Sequence, residues 1–178
     1  MRLGSETILI MNLKWGIGMT SATKKPGAVI LLYVLHAFLS LGAVAGGLAL
    51  LADPSGEMLG MPASVLERSP FDNFVIPGLL LLAFFGLLPL MVLFGLLKQP
   101  QWRWGYRLTP FRSLHASWSF SLYIGFGLII WILVQTYMMD AVSVIHVLYT
   151  SLGLLIQIVT LLPAVQRYFM LDGCAERS

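Results

Sequence analysis

Four long apolar stretches dominate the pattern of hydrophobic and polar positions along the chain. They cover residues 28–52, 74–97, 116–138 and 144–165, and none of them contains Asp, Glu, Lys or Arg. A helix needs roughly 20 apolar residues to cross about 30 Å of hydrocarbon, and each stretch is longer than that. Strands of a membrane barrel would be about 10 residues long and would alternate apolar with polar residues. The pattern therefore predicts an all-α membrane protein, a single-domain bundle of four transmembrane helices.

The composition agrees with a chain that is surrounded by lipid. Of the 178 residues, 58% are hydrophobic and 11% are charged, and the mean hydropathy is +0.84. A soluble domain carries about 25% charged residues, so the composition excludes a soluble enzyme and a nucleic-acid-binding module. The single cysteine, Cys174, excludes both a disulfide scaffold and CxxC redox chemistry.

The charges outside the apolar stretches predict the orientation. Residues 98–115 carry four basic residues and no acidic one, and the N-terminal arm, residues 1–27, carries four basic residues and one acidic residue. The loop of residues 53–73 has the opposite balance, with four acidic residues and one basic residue. Because basic segments stay in the cytoplasm, the prediction is a protein of the cell (inner) membrane with both termini cytoplasmic, residues 166–178 forming a cytoplasmic tail.

The N-terminal arm adds no further span. Its apolar run Ile8–Met11 is interrupted by Lys14, and no small-residue cleavage site follows, as a signal peptide would require. We expect an interfacial or disordered arm. Met11 and Met19 are alternative translation starts, since the topology needs nothing before Lys24.

Four strongly polar side chains lie inside the predicted spans: His36, Gln135, His146 and Gln157. His36 and Gln157 are at equal depth, about 12 Å from the cytoplasmic ends of their helices, and could face each other. Gln135 and His146 lie near the outer ends of consecutive helices and are expected to form a hydrogen bond. Each group is either a helix–helix contact worth about 0.6 kcal/mol or part of the lining of a ligand or proton path. The sequence offers no metal-ligand cluster or catalytic motif, and no cofactor is predicted.

The loop predicted outside contains turn-forming residues at fixed positions. Asp, Pro and Gly occupy the first, second and fourth positions of a type I turn formed by Asp53, Pro54, Ser55 and Gly56. A second group of this kind consists of Ser69, Pro70 and Phe71. The loop is interpreted as a structured connector, with a recognition surface or a lid over a lipid-accessible cavity as the alternative.

The loop predicted inside combines aromatic and basic residues. Its candidates for lipid-headgroup contact are Lys98, Trp102, Arg103, Trp104 and Arg107. Tryptophan favours the headgroup level, and each arginine near an anionic surface contributes about 1 kcal/mol. The simpler interpretation is an aromatic belt with the charges that set the topology.

Small residues and one proline mark the expected helix contacts. Gly42 and Gly46 have the GxxxG spacing, and Ser117, Ser121 and Gly125 share a face of the third span. Such residues let backbones approach within one bundle, or between two copies of the chain. Pro89, in the middle of the second span, is expected to kink its helix and to leave a carbonyl that needs a neighbouring donor.

Several short motifs taken together resemble a family of small bacterial four-helix integral membrane proteins. They are the Asp53–Gly56 turn, the Ser69–Phe71 and Ile76–Gly78 groups, the stretch Ser117–Gly125 with Trp118 and Tyr123, the stretch Leu128–Ile132 with Gln135, and the closing Leu161–Pro163 with Arg167 and Tyr168. The resemblance covers roughly residues 31–169. It implies a four-helix topology in a bacterial membrane and implies no activity.

Three functions remain open at this point. The first is a non-enzymatic bundle that binds membrane lipids, another membrane protein or a second copy of itself. The second is a small carrier or channel with a polar path near His36 and Gln157. The third is a lipid- or quinone-modifying enzyme that uses His36 or His146 as an acid or base, which is the weakest because no second ionisable group accompanies either histidine in its span.

The orientation can be tested by cysteine labelling. In a chain in which Cys174 is replaced by Ser, we expect Ser55→Cys to react with an impermeant maleimide added to intact cells. We expect Gln101→Cys to react only after the membrane is permeabilised. The reverse pattern would overturn the predicted orientation.

Overall fold

Four long helices account for most of the structure, a computed structural model that describes residues 25–61, 63–100, 105–140 and 142–171. All four are long and apolar enough to cross a membrane: α1 (Gly27–Ala52), α2 (Val75–Lys98), α3 (Ala116–Met139) and α4 (Val144–Leu161). A short helix, α5 (Pro163–Tyr168), follows α4. Single 3-10 turns lie at Glu57–Leu59, Ala63–Leu66 and Gly105–Arg107. The predicted all-α fold with four membrane-spanning helices is confirmed.

The connections define two ends of the bundle. We call the end that holds the connection between α2 and α3 and also α5 the basic end, because it carries Lys98, Arg107 and Arg112. The opposite end holds residues 53–74 and the turn at Asp140, and we call it the capped end. The core runs between the ends and includes Leu39, Leu96, Trp118, Leu128, Ile156 and Phe169.

Helix α4 ends at Leu161, four residues before the predicted end of the fourth span at residue 165. Pro163 explains the difference, because a proline disfavours helical backbone in the residue before it, and Leu162 accordingly has ψ 134°. The chain then turns into α5 and packs back on the bundle. The Phe169 carbonyl accepts a hydrogen bond from the His115 N–H at 2.8 Å. Residues 166–171 therefore belong to the folded domain, while the predictions for residues 1–24 and 172–178 lie outside the described residues.

Glycines set the closest helix contacts within the chain. A Cβ atom placed on Gly47 of α1 would lie 3.0 Å from the Gly78 carbonyl oxygen of α2. A Cβ atom on Gly125 of α3 would lie 2.8 Å from Gln157 Cγ and 3.1 Å from the Gly153 carbonyl oxygen of α4. Since lipid supplies no hydrophobic force between helices, this close packing is a main source of cohesion.

Hydrogen bonds from side chains to backbone carbonyls join the same helices. The Trp118 indole N–H of α3 donates to the Thr160 carbonyl of α4 at 2.8 Å, and the hydroxyls of Ser121 and Thr160 lie 3.0 Å apart. All three side chains are buried. Water cannot replace these partners inside hydrocarbon, so the bonds stabilise one relative rotation of α3 and α4.

Pro89 is preceded by a π-helical segment, Leu82–Leu87, in the middle of α2. A proline has no N–H, and its ring collides with the carbonyl four residues earlier, so a regular α-helix cannot continue through this position. The Ser40 hydroxyl of α1 donates to the Gly86 carbonyl within the segment, at 2.6 Å. This bond joins α1 to the π segment, but its acceptor is Gly86 and not Phe85, the residue four positions before Pro89 whose carbonyl is expected to need a donor.

Two alanine substitutions in α3 test the role of the glycine contacts. We expect Gly125→Ala to lower the free energy of unfolding by about 1–3 kcal/mol, because the added methyl group collides with α4. The matched control is Gly127→Ala, where the new methyl group would meet only Phe85 Cε1, at 3.9 Å. Thermal unfolding in detergent provides the measurement. Equal stability of the two variants would show that the close contact between α3 and α4 at Gly125 does not contribute to the stability of the fold.

Candidate functional site

The Asp53 carboxylate organises the loop at the capped end. Its Oδ1 accepts hydrogen bonds from the Ser55 N–H at 3.1 Å and the Ser55 hydroxyl at 2.6 Å, and its Oδ2 accepts one from the Met58 N–H at 2.7 Å. The Ser55 hydroxyl, followed by the Met58 N–H, lowers the pKa of Asp53. Gly56 has φ +82°, and a Cβ there would meet the Phe74 ring. The predicted turn is therefore held by its own side chains.

The rest of this loop folds over the bundle as a lid, which we define as the described residues 57–61 and 63–74. Leu66 and Phe74 of the lid are buried against Leu50 of α1. An ion pair between Arg68 and Asp140, with Nη2 and Oδ2 2.9 Å apart, joins the lid to the end of α3. Both side chains are exposed, so the pair contributes at most about 1 kcal/mol.

The second group of turn residues also belongs to the lid. The Ser69 hydroxyl accepts a hydrogen bond from the Phe71 N–H at 3.2 Å. Phe71 faces inward, whereas Pro70 is exposed. The loop is therefore more than a connector, because its inward-facing side chains close a space at the capped end of the bundle.

That space is a capped cavity of about 230 Å³ beneath the lid. Its walls are the apolar side chains of the lid, the end of α1 and the facing sides of α2 and α3. Among the described residues of its lining, only Trp131 and Gln135, both on α3, have a side chain with a hydrogen-bonding N–H group, and none is charged.

A larger apolar groove, of about 640 Å³, lies between α2 and α3. Its floor includes Phe85, Val92 and Ile124, which are buried, and its rim is formed by exposed side chains of both helices. At the basic end, the Tyr123 hydroxyl donates to the Leu108 carbonyl at 3.2 Å. The groove therefore opens on the surface that faces lipid.

The groove and the capped cavity are neighbours. Leu80, Trp131 and Val134 line both spaces. Helix α2 packs on α3 mainly through Leu88–Lys98, on the basic side of Pro89. On the capped side the contact includes the ring of Phe85, whose centroid lies 5.7 Å from that of Trp131. The two helices thus leave a continuous apolar space that ends under the lid.

Trp131 and Gln135 are the polar groups at the junction of these spaces. The Trp131 indole nitrogen is buried and has no hydrogen-bond partner among the described residues. Gln135, one helical turn closer to the capped end, makes no hydrogen bond to a described residue either. The sequence interpretation missed Trp131, although its spacing of four from Gln135 places both on one helix face.

The other polar residues predicted in the spans lie elsewhere. His36 is 0% exposed, and its Nδ1 lies 3.0 Å from the Leu32 carbonyl oxygen, which requires Nδ1 to be the donor. Gln157 packs between α3 and α4, with Cγ near Gly125. Neither residue lines the groove or the capped cavity, and the Nε2 atoms of both are buried without a partner in the described structure.

The expected hydrogen bond between Gln135 and His146 does not occur within the described structure. His146 instead belongs to the capping box of α4, where its Nδ1 lies 3.1 Å from the Ser143 N–H nitrogen and 3.1 Å from the Ser143 hydroxyl oxygen. This local partner is available because His146 occupies the third position of its helix, the usual place for a reciprocal cap.

At the basic end, Lys98 and Arg107 are exposed, as contact with lipid headgroups requires. The other headgroup candidates, Trp102, Arg103 and Trp104, lie outside the described residues. His115 anchors this end, because its Nε2 donates to the Pro100 carbonyl at 3.0 Å and its Nδ1 accepts from Ser117. Burial lowers the pKa of His115, which favours the neutral ring that this pairing needs.

The Asp53 interactions predict how the lid responds to mutation and to pH. We expect Asp53→Ala to increase the rate of trypsin cleavage at Arg68 several-fold, because three hydrogen bonds that hold the start of the loop are lost. Because the pKa of Asp53 is lowered, these bonds are complete at neutral pH and weaken only as the pH falls through that lowered pKa in acid. Asp72→Ala, an exposed site in the same loop, is the control. Equal cleavage of both variants would contradict this role of Asp53.

Comparison with known proteins does not assign the chain to a family. No protein-family model, curated protein or solved structure matches the chain. The resemblance to small bacterial four-helix membrane proteins therefore stays a prediction. The case for a function rests on the groove and the capped cavity.

Proposed function

We propose that the protein is a non-enzymatic lipid-binding bundle of the cell membrane, with both termini in the cytoplasm, and that the groove between α2 and α3 holds one lipid chain. The observation that carries the proposal is a long apolar groove that is open to the surrounding lipid and ends under a folded lid. The charge balance of the loops supports the orientation, which places the lid outside.

The extent of the groove fits a single lipid chain. Along α3 it reaches from Phe120 to Val134. At 1.5 Å per residue this is about 21 Å, or roughly two thirds of the 30 Å hydrocarbon core. The groove therefore crosses the middle of the hydrocarbon core, and it is long enough to hold one extended lipid chain whose end lies near the lid.

The apolar lining of the groove fits an occupant that carries no charge along its length. None of the described residues that line the groove is charged, and the Tyr123 hydroxyl is already paired with the Leu108 carbonyl. Gly127 lies in the middle of the groove, where its missing side chain leaves space in front of Phe85. A lipid chain would restore the dispersion contacts that an unfilled groove lacks.

The alternatives have less support from the geometry. A carrier path near His36 and Gln157 would need an opening at these residues, yet His36 is completely enclosed by its neighbours. A modifying enzyme would need an acid or base next to the bound lipid, and the described lining of the groove and the capped cavity contains no Asp, Glu, His, Cys, Lys or Arg.

Filling the groove tests the proposal. We expect the wild-type protein, purified in mild detergent, to retain lipid that native mass spectrometry detects as adducts of fixed mass. Gly127→Phe should lose these adducts, because its ring occupies the middle of the groove. The control is Ile158→Phe, which adds a ring on the exposed side of α4 and should keep them.

Identical adducts on all three proteins would contradict lipid binding in the groove. Thermal unfolding of Gly127→Phe and Gly127→Ala accompanies the measurement. It establishes that the phenylalanine variant is folded when its lipid content is compared.

A further inference from the structure

We propose that the capped cavity binds the uncharged head of the lipid whose chain lies in the groove, with a carbonyl oxygen of that head accepting hydrogen bonds from Trp131 and Gln135. This inference rests on the proposed function of the groove and specifies the chemical class of its ligand. The ligand class is an amphiphile with an apolar chain and a small head that has a carbonyl group and no net charge.

The unpaired indole of Trp131 is the first observation that supports this assignment. Its N–H is buried and can only donate, and hydrocarbon offers it no acceptor. The comparable group of Trp118 is paired with the Thr160 carbonyl at 2.8 Å. Neighbouring side chains cover this nitrogen. A ligand carbonyl that reaches it by displacing part of this cover would supply the acceptor that the described part of the chain does not.

Gln135 provides a second donor on the same face of α3. Its side chain lines the capped cavity, one turn beyond Trp131 toward the lid. A carboxamide has two N–H bonds, so it can share one carbonyl oxygen with an indole or bind a second acceptor on the same head. Two adjacent donors in an otherwise apolar lining select a ligand that carries acceptors at one end.

The depth of these donors argues against a charged head. Trp131 lies about 12 Å and Gln135 about 6 Å below the end of α3 at Met139, by the helical rise. A phosphate at this depth would need a cation, and no described residue that lines the cavity is charged. A volume of about 230 Å³ also limits the head to a small group.

The shared lining joins head and chain in one ligand. Leu80, Trp131 and Val134 border both the cavity and the groove, so a head beneath the lid continues into a chain between α2 and α3. The lid then separates the head from water, with Leu66 and Phe74 buried over the end of the bundle.

Two tryptophan variants separate the proposed contact from a structural role. Trp131→Phe keeps an aromatic ring near Phe85 and removes the unpaired N–H together with part of the ring volume. Trp118→Phe loses the same ring volume and in addition a paired N–H, so we expect it to unfold at a lower temperature than Trp131→Phe. Delipidated protein in detergent is then titrated with decylubiquinone, with dioleoylglycerol and with dioleoylphosphatidylglycerol, while unfolding is monitored.

We expect at least one of the two uncharged ligands to raise the unfolding temperature of the wild-type protein and of Trp118→Phe. The affinity for that ligand should fall about two- to tenfold in Trp131→Phe, the loss that follows from one hydrogen bond. A response to decylubiquinone alone would identify a quinone head, and a response to dioleoylglycerol alone would identify a glyceride head.

Two results would overturn the inference. One is equal binding of the uncharged ligand to Trp131→Phe and the wild-type protein, and the other is preferential binding of dioleoylphosphatidylglycerol. If binding in either case is still lost in Gly127→Phe, the groove binds lipid and only the assignment of the head fails. If Gly127→Phe binds as the wild-type protein does, the proposed function itself fails.

Discussion

The absence of water inside hydrocarbon is the constraint on which the rest of the structure depends. Lipid neither drives the helices together nor satisfies their polar groups, so both tasks fall to contacts within the chain. Gly47, Gly78, Gly125 and Gly153 bring backbones together, and buried hydroxyl and indole groups donate to carbonyls of neighbouring helices. Three buried side-chain nitrogens of the described residues depart from this rule, in His36, Trp131 and Gln157, and of these the indole nitrogen of Trp131 belongs to a residue that lines both the groove and the capped cavity.

The geometry of the groove follows from a local disturbance of α2. Pro89 prevents a regular helix, and the preceding π segment, Leu82–Leu87, changes the direction in which its side chains point. Helix α2 then packs on α3 mainly beyond the proline, and Phe85 reaches across to Trp131 on the capped side. The lid, held by Asp53, covers the end of the space that results. Local backbone chemistry thus produces the candidate lipid site.

The sequence predicts the spans well because length and continuous hydrophobicity depend on the solvent and not on tertiary contacts. It places the start and end of the first three helices within a residue or so of those observed. The predicted end of α4 at residue 165 is wrong, because apolar residues continue past Leu161 whereas Pro163 ends the helix. The turn that begins at Asp53 could be predicted because its hydrogen bonds are local in sequence.

Hydrogen-bond partners on different helices could not be predicted from the sequence. The depth of a residue in the membrane follows from its position along the helix, but the rotation of the helix about its axis, which decides where the side chain points, does not. His146 and Gln135 have similar depths, yet His146 pairs with its neighbour Ser143 and Gln135 lines the capped cavity. The importance of Trp131 was hidden for the same reason. In the sequence, a tryptophan within a membrane span is indistinguishable from the other apolar residues. Only the structure shows that the N–H of Trp131 has no partner among the described residues.

The central claim is that the Trp131 indole N–H donates a hydrogen bond to a bound ligand. The NMR chemical shift of this N–H proton tests the claim most directly. Protein labelled with ¹⁵N-tryptophan in lipid nanodiscs would give a signal for Trp131, assigned by its loss in Trp131→Phe. We expect this proton signal to move downfield on addition of the uncharged ligand, while the Trp118 signal, already hydrogen-bonded to Thr160, stays in place. A Trp131 signal that does not change when the ligand binds would contradict the account.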